Sequence, residues 1–259
     1  MIWRALRPAS MSRRTSCVSR YAQLPLEPLP KIVKCTDTPR KLEADAPTAS
    51  GNCYVSAWLD GYDLVIMPGV LTTDLLLQAY RWGHFPMTVD DGTLRWFCPD
   101  PRTLIPLDDQ FHVPHGLRRV LKKGPFAITV DTDFEAVIRA CATVHGRTWI
   151  SAEILRSYCQ LHRDGHAHSV EARLDGRLVG GLYGVRLGGA FFGESMFHHA
   201  TDASKVALVA LVERLRAGGF VLLDTQWTTQ HLLQFGVVEV SRQNYLHRLA
   251  EALELECQF

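Results

Sequence analysis

No run of apolar residues in this chain approaches the length of a membrane span; the longest candidates are broken by Arg, Asp or Gly. The sequence therefore reads as that of a soluble protein, with no membrane partner. An excess of one charge sign is also missing. Twenty-eight basic residues stand against 27 acidic ones, a formal net charge of +1, so any nucleic-acid contact has to come from a local patch. The seven cysteines are odd in number and scattered, from Cys17 to Cys257, and no CxxC occurs. That pattern argues against a disulfide framework and a zinc knuckle, and it fits a reducing compartment. Internal repeats and low-complexity tracts are absent too.

Several familiar chemistries lack a needed residue. "GESMF" resembles the nucleophile elbow GxSxG, but Phe197 stands where the strained turn needs glycine, so Ser195 is not read as a nucleophile. The pairs His166/His168 and His198-His199 have no HExxH or CxxC companion, and no metal is read there. "GGLYGV" lies inside a strand pattern and opens no helix, so it is not a dinucleotide fingerprint; its glycines point to close approach of backbone or ligand.

What is present is an ordinary globular composition, 47% hydrophobic and 21% charged over 259 residues, enough for two small domains or one large one. Residues 1–50 differ from the rest. Arg4, Arg7, Arg13, Arg14 and Arg20 precede the first acid, Glu27, and prolines follow. An organellar transit peptide and a start codon upstream of Met11 both fit, and the segment is expected to be poorly ordered. The expected location is the cytoplasm, with organellar targeting by residues 1–20 as the alternative.

From residue 51 to about 145 the elements are short. "LTTDLLLQAYRWG" is a helix with a Thr cap and Gly83 as its stop. "LRWFCPDPRTLIPL" reads as a strand cut by prolines, "HGLRRVLKKG" as a short helix ended by Gly124, and "FAITVDTD" as a strand whose Asp131 or Thr132 caps the next helix. After residue 145, "SAEILRSYCQLHRDG" is a helix capped by Ser151. Three strands joined at Asp175-Gly176 and Gly188-Gly189 follow. A helix from "DASKVAL" to Gly218 then leads into the strand "FVLLDTQW". A meander running into a strand-helix-strand crossover predicts a mixed α/β fold.

Glu194, Asp224 and Gln226 fall at ends of strands that should be neighbours. Side-chain alternation places Asp224 and Gln226 on one face. Such a trio is either a satisfied buried network or a site for an amine or cation, with removal of a proton from an attacking nitrogen. Arg118, Arg119, Lys122 and Lys123 lie on roughly one side of a helix, a solvated face or a phosphate-contacting patch. Lys205 in the first turn of its helix adds mild support for a nearby phosphate.

Taken in order, "AYRWGHFPM", "WFCPDPR", "TWIS", "HAHSVE", "LVGGLYGV", "FFGESMF", "DASKVAL", "LLDTQ" and "HLLQFG" strongly resemble the leucyl/phenylalanyl-tRNA–protein transferases, from about Leu71 to Leu249. The resemblance implies a small N-terminal α/β domain, residues 51–145, joined to a GNAT-like acyltransferase domain, residues 146–259. It implies transfer of Leu or Phe from aminoacyl-tRNA to the N-terminal amine of proteins beginning with Arg or Lys, which marks them for degradation by the N-degron route. No metal or cofactor is expected. Asp224, Gln226 and Glu194 match the family's reaction site. Leu182, Met196 and Leu223 match the apolar pocket for the donor side chain. Trp149 matches the aromatic that stacks on the terminal adenosine, with Tyr80 and Tyr158 at aromatic positions nearby. Arg119, Lys122 and Lys123 match a basic cluster on the tRNA acceptor arm.

The chain departs from the family pattern at His198-His199 in place of Ser-Arg, at Thr225 in place of Cys, at Met87 in place of an aromatic and at His115 in place of Arg. "PGVLTT" also replaces a Gly-Gly-Asp-Leu stretch. Two other readings remain at this level: a GNAT-like acyltransferase with another acyl donor, and a non-catalytic tRNA- or protein-binding module.

Overall fold

The computed structural model describes residues 64–65, 71–144 and 148–259. The expectations for residues 1–50, and those for Pro68, Gly69 and Val70, fall outside the described residues. In chain order the elements are β1 (Leu64–Val65), α1 (Thr73–Arg81), β2 (Phe85–Thr88), β3 (Leu94–Phe97), β4 (Arg102–Ile105), α2 (His115–Lys123), β5 (Ala127–Val130), α3 (Phe134–Val144) and α4 (Ala152–Arg163). Then come β6 (Ala167–Leu174), β7 (Arg177–Leu187), β8 (Ala190–His198), α5 (Ala203–Ala217), β9 (Leu222–Asp224), α6 (Gln230–Leu233), β10 (Val238–Val240) and α7 (Arg242–Leu253).

Local chemistry sets several of these boundaries. The Thr72 hydroxyl accepts the Leu75 N–H and opens α1, and Ser151 does the same for α4 through Ile154. Gly124, at φ 61°, ends α2 in the left-handed region that favours glycine. Asp175 and Gly176, at φ 50° and 76°, make the tight β6–β7 turn as expected. Asp131 does not cap α3. It sits at φ 55° and turns back to accept the Ser169 N–H at 2.9 Å.

The large sheet has the order β10-β4-β9-β8-β7-β6-β5, and β1-β3-β2 form a small one. Every neighbouring pair in the large sheet is antiparallel except β8 and β9, which run parallel as a strand-helix-strand crossover requires. Leu76, Tyr80, Val137, Ile138, Tyr158 and Leu249 cover one face from α1, α3, α4 and α7. On the other face α5 buries Val206, Leu208, Leu211, Val212 and Leu215. The fold is mixed α/β.

The expected boundary near residue 145 falls within the span of one sheet. Strands β4 and β5 precede it, yet both are hydrogen-bonded into the sheet that β6 to β9 continue. Short strands separated by prolines and a helix look like a module of their own in sequence; their partners lie more than a hundred residues away for β4 and about forty for β5.

Candidate active site

The parallel pairing of β8 and β9 ends at Phe192↔Asp224. Beyond that point β8 continues and β9 stops, so the carboxyl ends of two parallel strands part, the place where open sheets form ligand crevices. A cavity of about 440 Å³ opens there. Its apolar wall includes Leu182, Met196, Leu208, Leu211, Leu223 and Leu232, and its polar groups include Glu194, Gln226, His198 and His231.

Glu194 reaches the cavity through an irregularity in the ladder. Tyr183 pairs with Ser195 and Gly184 with Gly193, which leaves Glu194 as the extra residue of a β-bulge. The bulge turns its carboxyl toward α1 and α4. Tyr80 donates to Oε1 at 2.7 Å and Tyr158 to Oε2 at 3.3 Å, and the two hydroxyls also bond to each other. Burial pushes the Glu194 carboxyl up to about 8, against the opposing pull of the Tyr80 hydrogen bond; Asp224 adds to the rise. Burial and the Glu194 charge hold both tyrosine hydroxyls well above their usual range, so they act as donors.

Asp224 is tied up on its own side of the sheet. Arg102 Nε donates to Oδ1 at 2.9 Å and Nη2 to Oδ2 at 2.6 Å, and both side chains are 0% exposed. Tyr245 donates to Oδ2 at 2.9 Å and the Gln226 backbone N–H to Oδ1 at 2.9 Å. Arg102 itself also donates to the Gly83 carbonyl and lies over the rings of Phe85 and Tyr245. Burial disfavours its charge, but Asp224 overrides that and raises its pKa above the ordinary arginine value.

The expected alternation of Asp224 and Gln226 fails because β9 ends at Asp224 and Gln226 takes φ 61°. Asp224 therefore faces Arg102, while Gln226 lines the cavity with its Nε2 buried and unpartnered among the described residues. The coupling between them is the hydrogen bond from the Gln226 N–H.

Leu182, Met196 and Leu223 come together on the cavity wall, Leu182 directly opposite Met196 in the β7–β8 ladder. Trp149 and Met87 line the same cavity. Tyr80 and Tyr158 do not: both are 0% exposed, so neither can stack on a base, and their part is to hold Glu194 from behind. Arg119, Lys122 and Lys123 are exposed on α2, whose Leu117 is buried in the core, and none is in an ion pair among the described residues. Lys205 is paired with Asp202 at 2.8 Å, within its own turn. Sequence reasoning missed Arg102, Tyr245 and His231; Trp227, a tryptophan at a segment end in the sequence, lines the cavity, is 41% exposed and leans on Phe85 at 5.1 Å. An arginine entering the apolar run "TLI" was the one available signal for Arg102.

The chain is similar to known proteins over most of its described length. A leucyl/phenylalanyl-tRNA–protein transferase of Salinibacter ruber is 55% identical over 190 residues, 73% of this chain and 83% of the relative. One from Gloeobacter violaceus is 56% identical over 190 residues, 73% of this chain and 97% of the relative. Among solved structures, a ribosomal-protein-alanine N-acetyltransferase from Brucella melitensis biovar Abortus 2308 is similar at TM-score 0.32 and 16% identity, covering 42% of this chain and 84% of that one. The family model described as Leucyl/phenylalanyl-tRNA protein transferase matches residues 104–250, and the model of that family's N-terminal domain matches residues 69–100. With its cavity, its cavity-facing carboxyl and carboxamide, and these matches, the chain belongs to the leucyl/phenylalanyl-tRNA–protein transferase family.

Proposed function

We propose that the cavity holds the 3′ end of an aminoacyl-tRNA and that its Leu or Phe passes to the N-terminal α-amine of a protein beginning with Arg or Lys. Family membership makes the chain an aminoacyltransferase; the donor side chain, the acceptor residue and the duties of single residues go beyond it. The observation that carries it is the convergence of Glu194 and Gln226, whose Nε2 has no partner among the described residues, at the polar edge of a cavity with a largely apolar wall. The apolar wall of Leu182, Met196 and Leu223 suits Leu or Phe, because a hydrophobic pocket discriminates weakly between apolar shapes.

Trp149 is the face for the terminal adenosine, and Arg119, Lys122 and Lys123 contact acceptor-arm phosphates. Glu194 receives the cationic N-terminus. Gln226, fixed by Asp224 through its backbone, orients the amine against the ester carbonyl. The leaving group is the ribose hydroxyl, and an ester is activated enough for positioning to supply much of the rate. Tagging of basic N-termini places the activity in an N-degron route.

The test is transfer of radiolabel from Leu-tRNA or Phe-tRNA to peptides beginning with Arg, Lys, Asp or Met. Label on the Arg and Lys peptides alone supports the reading. Label on another N-terminus moves acceptor choice to the His198-His199 segment, and none on any peptide rejects the reading.

A further inference from the structure

We infer that Glu194, not Asp224, takes the proton that the incoming α-ammonium must lose before it attacks. The inference rests on the function proposed above.

Geometry separates the two carboxylates. Asp224 spends its oxygens on Arg102, Tyr245 and the Gln226 N–H, is 0% exposed, and does not line the cavity. A proton delivered to it would dissolve a bidentate buried ion pair. Glu194 lines the cavity and, among the described residues, accepts only two hydrogen bonds, both from buried tyrosine hydroxyls that do not line it. The charged and titratable groups that face it are Tyr80 on α1, Tyr158 on α4, Tyr183 on β7, Arg102 on β4 and Asp224 on β9. None of these is a free base: the tyrosines hold their protons and the last two neutralise each other. His198 lies farther along the same strand, at the exposed rim.

The step balances without a co-reactant. One N–H proton of the ammonium moves to the Glu194 carboxylate, and the freed nitrogen pair forms the C–N bond to the ester carbonyl carbon. The C–O bond to the ribose breaks, and the second N–H proton leaves on the ribose oxygen. Glu194 returns its proton to solvent when the products depart. Asp224 is a positioning residue, acting through the turn at Gln226.

The experiment is single-turnover transfer from Leu-tRNA to a saturating Arg-peptide as a function of pH, with the full chain, E194Q, D224N and Tyr245→Phe. In the wild type, Glu194 converts bound ammonium to amine. E194Q depends on amine already neutral, whose pKa is about 7.7–8.0, so at pH 6.5 its rate should fall roughly tenfold or more below its own high-pH plateau. The wild-type acid limb should lie at clearly lower pH, because the positive charge of the bound ammonium favours the Glu194 carboxylate and draws it below the value that burial alone gives. D224N and Tyr245→Phe should lose rate by the same factor at every pH. Should D224N not fold, Tyr245→Phe carries that arm, and Tyr158→Phe, which strips a donor from the carboxylate, should move the limb upward in place of E194Q. An E194Q profile parallel to wild type, or a limb displaced by Tyr245→Phe instead, overturns the assignment while the function stands. A wild type that transfers nothing removes both.

Discussion

Arg102 and Asp224 form the most enclosed ion pair among the described residues, and its worth is mostly the penalty for breaking it. A lone charge left in that position has no water to turn to. Arg102→Ala should therefore lower folding stability by about 3–5 kcal/mol, read as a shift in the urea midpoint. Glu194 sets the opposite kind of liability. With no ammonium beside it, its carboxyl, near 8 when folded, keeps a proton that the unfolded chain releases near 4.5. Stability contributed by that protonation is complete below pH 4.5 and is lost as pH rises through 8. Urea midpoints measured at pH 5 and 8.5 should fall for the wild type by the equivalent of a few kcal/mol, about 1.4 per pKa unit at most, and E194Q should flatten that slope. Glu194, Asp224 and Gln226 were legible in the sequence as polar groups at strand ends, which apolar context makes conspicuous. Their division of labour was not. Nothing in "LLDTQ" says that the strand stops at Asp224 or that Gln226 takes a positive φ, and the partner that decides the matter, Arg102, lies 122 positions earlier.

At the level of elements, α2 carries its cations on the side away from Leu117, and Lys122 and Lys123 sit in its last turn, where the helix dipole favours them. Removing their charge costs the helix little, so Arg119→Ala, Lys122→Ala and Lys123→Ala combined should leave the fold intact. The same triple change should weaken tRNA binding and lower the salt dependence of its log affinity by roughly 2–3 units, checked by filter binding across a salt series. Gly180 answers for the close seating of α5 on β7. A Cβ there would stand 2.5 Å from that of Ala203 and 2.9 Å from its carbonyl carbon. Gly180→Ala should cost about 1–3 kcal/mol, again by urea unfolding. Both the α2 helix and the close glycines could be read from sequence, because capping, charge placement and glycine spacing are local signals. The bulge at Glu194 could not, since a bulge exists only relative to the strand beside it.

On the scale of the whole molecule the site depends on segments far apart in sequence meeting in one sheet. The family resemblance reached the fold class, while the sequence did not show that one sheet takes strands from both sides of residue 145, because pairing across a sheet is independent of proximity along the chain. A chain beginning at residue 146 would lack β4 and β5, exposing the partner edges of β9 and β6. Such a fragment should be insoluble or lack a cooperative thermal transition, followed by circular dichroism, whereas a chain beginning at residue 64 should retain one.

Arg102 reaches the Gly83 carbonyl with the same guanidinium that grips Asp224. For anyone seeking to retrain the enzyme toward new acceptors, this makes Asp224 a poor dial: turning it would also loosen the seam between the α1–β2 corner and the sheet. The exposed His198, held by no such seam, is where a library of variants should begin.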